Sequence, residues 1–341
     1  FTTPERGGLG SGGISVFTQS AESAPWRPVQ VIERMNPSFL AFHQEKDVLY
    51  TAQGDGCTLA AFRIHPESGE LSLLNEKHIG LYNSVSVVVD PTGQYLLAAC
   101  LNNGSGAILS LRLKADGAIG EICDIEVPQG RHGPLNSQPA SQPHQVIFDP
   151  EGTHLIVCDK GLDCIHAYRL DRRTGEFLWT ADSQFPTSCC PRHVVFHPNG
   201  RYAYLLAEWI DGVFPCTYEN GTFTPMEWHK TAPLDYTGFR NIGAEIAVHP
   251  SGRFLYASNR GYSSIVSFAI QDDGRLKALD WCREGVAKPR YFTLSPSGER
   301  LYCANEETHS VTVYSVCPHT GGLTLLHTAM SASAPACVIF R

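Results

Sequence analysis

Charge is scarce in this sequence: Asp, Glu, Lys and Arg together make up only 18% of the residues. Long helices with charged outer faces do not arise from such a composition. No apolar run approaches the length of about 18 residues that a membrane-spanning helix requires. Lys and Arg do not cluster, and the formal net charge is −8. The basic face that neutralises a phosphate backbone is therefore missing, and no nucleic-acid partner is expected. Among the 12 cysteines there is no CxxC pair, and only Cys189-Cys190 lie close together. Cys100, Cys158 and Cys303 stand inside apolar runs, as buried free thiols of a cytoplasmic protein would. No GxSxG elbow occurs, and no Gly-rich phosphate loop stands between a strand and a helix. His193 and His197 lie four apart, but the other hinge histidine, His249, has no such neighbour. Asp272-Asp273-Gly274 lacks the spacing of a calcium loop. Neither a metal nor another cofactor is expected.

Gly (31) and Pro (22) are plentiful instead, which suits many short strands joined by turns. One hinge recurs as Asp90-Pro91-Thr92-Gly93, Asp149-Pro150-Glu151-Gly152, His197-Pro198-Asn199-Gly200, His249-Pro250-Ser251-Gly252 and Ser295-Pro296-Ser297-Gly298. Proline presets a turn dihedral and glycine tolerates positive φ, so each hinge is a tight turn. Runs such as QVIFD and HVVFH precede the hinges, and runs such as YLLAAC and FLYASN follow them, as buried strands should. A third strand comes next (AILSLRL, CIHAYRL, SIVSFAI). Then follow a second turn with Gly at 69, 117, 175, 221, 274 and 322, and a weaker fourth strand. The segment 37–80 fits too, with His43-Gln44-Glu45-Lys46 as a degenerate hinge.

Successive hinge prolines lie 46 to 59 residues apart, which is the arithmetic of four-stranded propeller blades. Six blades can be counted between residues 37 and 330. APACVIF near the C-terminus resembles an inner strand, and GGISVF near the N-terminus resembles a middle strand without one. The expected fold is all-β: a single seven-bladed β-propeller over 1–341, its first blade closed by N- and C-terminal strands, which removes two exposed edges.

Antiparallel order puts the start of an inner strand beside the end of the second strand. Polar residues gather at those places: His144, Arg192 and Arg290 at inner-strand starts, and Asn102, Asn103, Asp159, Glu208, Asn259, Arg260 and Glu306 at second-strand ends. A His, acids and several Arg at one mouth make a plausible small-anion site. The competing reading is a set of salt bridges between blades. Arg192 and Glu208 are 16 residues apart, and so are Arg290 and Glu306, as a structural habit of the repeat would also give. The loop 128–143, with His132 and Asn136, is long enough to cover such a mouth.

Three runs carry a resemblance: Cys190-Pro191-Arg192-His193-Val194-Val195-Phe196-His197-Pro198-Asn199-Gly200-Arg201-Tyr202, Gly252-Arg253-Phe254-Leu255-Tyr256-Ala257-Ser258-Asn259-Arg260-Gly261, and Lys288-Pro289-Arg290-Tyr291-Phe292-Thr293-Leu294-Ser295-Pro296. Over nearly its whole length the chain resembles the propeller-type lactonases, which include bacterial 6-phosphogluconolactonases and fungal carboxymuconate-lactonizing enzymes. The resemblance implies a catalytic group of His144, Arg192, Glu208 and Arg260; Asp159, Asn259, Arg290 and Glu306, which share the same strand ends, are the candidate substrate-binding residues. The resemblance also implies metal-free hydrolysis of a sugar-type lactone, with a small lactone or organic acid as the only partner. Formation of a lactone from a carboxymuconate-type diacid, or a binding platform without chemistry, are the alternatives. The sequence departs from the family's habit at Gln142, at Asp159-Lys160-Gly161 and at Ala207, and Phe1–Arg6 matches the family's opening motif only loosely.

Overall fold

In the computed structural model, residues 12–21, 24–238, 240–331 and 333–341 are described; the loosely matching opening motif at 1–6 lies outside them. The chain divides into two compact units, Phe1–Asp182 with Arg341, and Ser183–Phe340. Every sheet is antiparallel, as hinge-connected short strands dictate.

The first unit begins with a strand pair, β1 (Gly13–Thr18) and β2 (Arg27–Glu33). Its sheets then run in sequence order. One holds β3 (Pro37–Phe42), β4 (Val48–Gln53), β5 (Thr58–Ile64) and β6 (Leu71–His78). The next holds β7 (Ser84–Val89), β8 (Tyr95–Cys100), β9 (Ala107–Leu113) and β10 (Ile119–Glu126). The third holds β11 (Pro143–Phe148), β12 (Leu155–Asp159), β13 (Cys164–Leu170) and β14 (Phe177–Gln184), and the unit boundary falls inside β14.

In the second unit, β15 (Pro191–Phe196), β16 (Tyr202–Ala207), β17 (Gly212–Glu219) and β18 (Thr222–Pro225) form a sheet whose β17 also pairs with β19 (His229–Lys230). Then come β20 (Gly243–Val248), β21 (Phe254–Asn259), β22 (Ser264–Ile270) and β23 (Leu276–Cys282), and finally β24 (Pro289–Leu294), β25 (Arg300–Asn305), β26 (Ser310–Val316) and β27 (Leu323–Ser331). Six sheets thus have the four-strand meander expected from the repeat, while β1 and β2 stand as a pair. The C-terminal run 335–340 forms no strand, contrary to expectation. Among its residues, Phe340 packs its ring on Tyr302 with centroids 4.7 Å apart.

Second strands such as β4, β8 and β21 are buried along their whole length, which is why they read as unbroken apolar runs. Fourth strands such as β6 are buried at few positions, which explains their weaker signal. The hinge glycines 93, 152, 200, 252 and 298 have φ between 65° and 78°, and the hinge acids cap the turns: Asp90 Oδ1 accepts from the Gln94 and Tyr95 N–H groups. The last of the second-turn glycines with positive φ is Gly321 rather than Gly322.

Two staples join neighbouring sheets within each unit, and neither is evident in the sequence. The hinge histidines accept a local backbone N–H on Nδ1 and so carry their proton on Nε2. His197 Nε2 donates to Gly252 O at 2.9 Å, and His249 Nε2 to Gly298 O at 3.1 Å. In the first unit His43 Nε2 reaches Gly93 O at 3.1 Å. The second staple is a buried tyrosine of the second strand that donates to a turn carbonyl of the following sheet: Tyr50 to Gly117, Tyr204 to Gly274 and Tyr256 to Gly321, at 2.7, 3.1 and 2.8 Å. Tyr256→Phe leaves the Gly321 carbonyl without this donor, at a cost of about 1–3 kcal/mol. Denaturant unfolding should show that loss as a lower midpoint with an unchanged slope.

Candidate active site

Each inner strand begins with the same irregularity. In β15, Pro191 pairs with Ala207 and His193 with Leu206, so Arg192 is the extra residue of a β-bulge. The same shift skips His144 in β11, Arg290 in β24, Ser38 in β3 and Val85 in β7, and it falls between Gly243 and Ile246 in β20. A bulge re-aims the side chain it carries. One backbone bond recurs beside it, from the N–H of the residue after the second strand to the carbonyl of the residue before the inner strand. It links Gly54 to Asn36, Leu101 to Asn83, Lys160 to Gln142, Glu208 to Cys190, Arg260 to Ile242 and Glu306 to Lys288, at 2.9 to 3.2 Å. Cys190 and Lys288 reach it from the left-handed region, at φ 52° and 50°, where only a well-determined surrounding holds a non-glycine residue. Bulge and bond together seat Arg192 beside Glu208 and Arg290 beside Glu306.

The second unit gathers most of the expected residues. Glu208 is ion-paired with two cations: Arg192 Nε lies 3.2 Å from Oε2, and Arg260 Nη2 lies 3.4 Å from Oε1. Arg260 Nη2 also donates to Gly243 O at 2.8 Å, and Arg192 Nη1 donates to Ala244 O. Glu306 takes Lys288 Nζ at 3.0 Å and has Arg290 Nη1 at 4.0 Å. Burial, then the Arg192 and Arg260 charges, push Arg290 down to about 9; burial and then Arg260 push Arg192 down to about 10. Three guanidiniums therefore feel one another, and a bound anion would relieve them. Glu208 keeps 15% of its side chain exposed while Arg192 keeps only 4%, so the carboxylate is the accessible member.

Behind Arg192 stands a pair that the sequence reading did not place in the site. His193 Nδ1 lies 2.8 Å from Glu245 Oε1, and its Nε2 lies 3.3 Å from Arg192 Nη1. A neutral imidazole that donates from Nδ1 to Glu245 accepts the guanidinium N–H on Nε2, so the pair orients Arg192. The signal was a charged residue inside the otherwise apolar run EIAV of β20. His197, which shares β15's end with His193 in sequence, is occupied at its hinge, so the two do not converge.

The first unit holds His144 and Asp159. His144 sits at the bulge of β11, 6% exposed. Asp159 is wholly buried and serves the backbone: Oδ1 accepts from the N–H groups of Gln142, Gly161 and Leu162 at 2.8, 2.8 and 3.1 Å, and Oδ2 from Ser141 Oγ at 2.5 Å. Asn259 in the second unit is equally buried, with its amide bonded to Thr231 O, Ser264 Oγ and the Asn241 side chain. Direct contact of Asp159 and Asn259 with a ligand gives way to anchoring of the loops. Asn102 and Asn103 form a left-handed turn. The loop 128–143 folds onto the turn after β12, through Gly133 N to Gly161 O at 2.9 Å and Gln138 Nε2 to Asp163 Oδ1 at 2.8 Å. All the cysteines are free thiols, as expected, and no helix among the described residues is long and apolar enough to cross a membrane.

Blade-type sheets carrying a guanidinium–carboxylate cluster at a repeated bulge define the class, and comparison with known proteins agrees. The profile described as "Lactonase, 7-bladed beta-propeller" matches residues 1–340, and the chain belongs to that family. It is 30% identical over 338 residues to the 6-phosphogluconolactonase of Bacillus subtilis (strain 168), covering 97% of this chain and 95% of the relative. An uncharacterized protein of Staphylococcus aureus (strain N315) is 32% identical over 308 residues, with 87% of each chain covered. Among solved structures, the periplasmic gluconolactonase PpgL of Pseudomonas aeruginosa superposes with a TM-score of 0.88 at 24% identity, over 96% of this chain and 94% of that one. A putative 6-phosphogluconolactonase from Bacteroides fragilis gives 0.87 at 24% identity, over 96% and 93%. The fold is that of a β-propeller.

Burial pushes the His193 imidazole below its ordinary value, and Arg192 adds to this against the opposing pull of Glu245. Because the unfolded chain then takes up the proton first, the contribution to stability is complete above the unfolded value of about 6.5 and is lost as pH falls below it. Burial depresses His43, His229 and His249 in the same direction. The urea midpoint should decline from pH 7 to pH 5, and His193→Gln should decline less steeply; an equal slope would remove His193 from this account.

Proposed function

We propose that this protein hydrolyses a sugar-type lactone to the open acid, with the Arg192–Glu208–Arg260 cluster at the centre of the reaction. The observation that carries the reading is a partly exposed carboxylate fixed between two guanidiniums, with a third guanidinium close enough to be depressed by both. Lactone opening needs an activated water, a counter-charge for the tetrahedral oxyanion, and a proton for the departing alkoxide. Glu208 takes the proton from water as the water attacks the carbonyl carbon, a contribution of about 10²–10⁴-fold. Arg192 and Arg260 hold the developing oxyanion, each worth about 10²–10³-fold; a guanidinium suits this because it stays charged and its fork matches planar oxyanions. Collapse of the intermediate expels the ring oxygen, which takes the proton back from Glu208 as the C–O bond breaks, so the carboxylate is regenerated.

Arg290 and Lys288, paired with Glu306, bind the substrate's own anionic or hydroxyl groups. The cluster holds four cations, Arg192, Arg260, Arg290 and Lys288, against the carboxylates Glu208, Glu306 and Glu245. That excess favours an anionic substrate such as a phosphorylated aldonolactone, which is also the substrate named for the Bacillus subtilis relative. His144 belongs to the proposal through its motif, and Asp159 and Asn259 as anchors of the loops. No step of this scheme calls on a metal. A single propeller domain of seven blades, with β1 and β2 in the incomplete one, is part of the same reading.

Arg192→Ala and Glu208→Ala should each lower turnover of the correct lactone by at least about 10²-fold while far-ultraviolet circular dichroism stays unchanged. Acid release from a panel of sugar lactones, with and without phosphate, measures this with a pH indicator; wild-type rates in both variants would end the proposal. Deletion of 334–341 tests whether the C-terminal segment completes the fold. The expected product is aggregation-prone, and a cooperatively folding truncant would contradict the seven-blade count.

A further inference from the structure

A second polar cluster lies in the first unit, on the outer half of the sheet β11–β14. His166, on β13, is 1% exposed, and Nδ1 lies 2.7 Å from Asp182 Oδ1 on β14 and 3.9 Å from Cys164 Sγ. Its other nitrogen, Nε2, is buried and lies 3.7 Å from Asp159 Oδ2. Cys164 is buried beside it, whereas the Asp182 side chain is 40% exposed and is held by Trp179 Nε1 at 2.9 Å. Strand alternation causes the grouping: Cys164 and His166 are two apart on one strand and so share a face.

The repeat shows that the cluster is additional to what the sheet needs. His166 stands opposite Val157, two residues before the end of its second strand; the corresponding residues are Ala60 in β5 and Leu109 in β9. The other sheets of this unit fill the position with an apolar side chain. Replacing one by an imidazole with a thiol and two carboxylates around it incurs burial costs that packing alone does not offset.

We propose that Cys164, His166 and Asp182 form a binding site for a tetrahedral divalent transition-metal ion, Zn²⁺ by its ligand set, with solvent completing the coordination on the Asp182 side. One thiolate, one imidazole and one carboxylate are borderline-soft donors of the kind that select zinc over magnesium or calcium. With Zn–N of about 2.0–2.1 Å and Zn–S of about 2.3 Å, a tetrahedral ion sets its nitrogen and sulfur ligands about 3.6 Å apart and its nitrogen and oxygen ligands about 3.4 Å apart. The Nδ1–Sγ distance of 3.9 Å is close to the first value, while the Nδ1–Oδ1 distance of 2.7 Å is that of a hydrogen bond and opens toward the second when the half-exposed Asp182 side chain rotates. Behind the imidazole, Asp159 stands on the side away from the donors, as the carboxylate partner of a metal-bound histidine does. Its own orientation is fixed by three backbone N–H groups and Ser141. Binding is ligand exchange: the ion takes Nδ1 and Sγ, and the protons they carried leave to solvent. The site lies outside the guanidinium cluster and stands whether or not the lactonase reading holds.

Untagged protein freed of metal with a chelator should be titrated with Co²⁺ as a spectroscopic stand-in for Zn²⁺. The expected result is a thiolate-to-cobalt charge-transfer band that saturates at one equivalent, together with a thermal midpoint that rises with Zn²⁺. Cys164→Ser should abolish the band, and Asp182→Asn, at a half-exposed position, should weaken binding by at least about 10-fold without unfolding the chain. Cys317→Ser controls for the exposed thiol and should change nothing. Absence of a band in the wild type, or a band that survives in Cys164→Ser, overturns the proposal. Far-ultraviolet circular dichroism and a cooperative thermal transition of metal-free Cys164→Ser serve to show that the variant is folded.

Discussion

One irregularity in the backbone positions the charged cluster of this protein. At the start of every inner strand an extra residue is inserted, and a single N–H to C=O bond ties the chain after the second strand to the chain before the inner one. A regular ladder would point residue 192 into the sheet packing; the bulge turns it out toward the end of the strands. The bond then fixes residue 208 beside it, although 16 residues separate the two. The left-handed backbone at Cys190 and Lys288 is the strain that this geometry carries, and the proline that follows each of them fixes the strand's entry.

Burying three guanidiniums together is costly, and the surroundings show how the cost is met. Each carboxylate near them is shared: Glu208 serves Arg192 and Arg260, and Glu306 serves Lys288 and Arg290. Backbone carbonyls of Gly243 and Ala244 take further N–H groups, and the neutral His193 offers Arg192 an acceptor without adding charge. What is left is an excess of positive charge facing the accessible Glu208. A preorganised excess of this kind is most strongly relieved by a ligand whose negative charge grows during the reaction.

The repeat, the hinges and the strand order were legible because proline, glycine and alternating burial leave local marks. The pairing of inner-strand starts with second-strand ends followed from antiparallel order alone, and it led to Arg192, Glu208, Arg260, Arg290 and Glu306. Sequence could not reveal the bulge, since the inserted residue has no compositional mark. Nor could it separate the wholly buried Asp159, which accepts loop N–H groups, and Asn259, whose amide bonds a loop carbonyl and two side chains, from the more exposed Glu208 and Arg260, one residue further along the repeat. His193 was not placed in the site because its relation to Glu245 is one between sheets. The C-terminal run has strand-like composition, yet the backbone of 335–340 forms no strand.

The recurrence of the Arg–Glu spacing raises the question of whether these ions merely brace the repeat. The other sheets answer it. The bulge residue and the residue after the second strand are Ser38 and Gly54 in the first sheet, Val85 and Leu101 in the second, and Ala244 and Arg260 in the fifth. Those sheets keep the same bulge and the same backbone bond with no ion pair of their own at these places. Arg260, with Ala244 at the bulge of its own sheet, reaches Glu208 of the neighbouring one instead. The scaffold is therefore indifferent to charge at this pair of positions, and a buried ion pair is seldom more stabilising than a well-packed apolar one. Charge concentrated where the architecture does not require it is the mark of a site rather than of a brace.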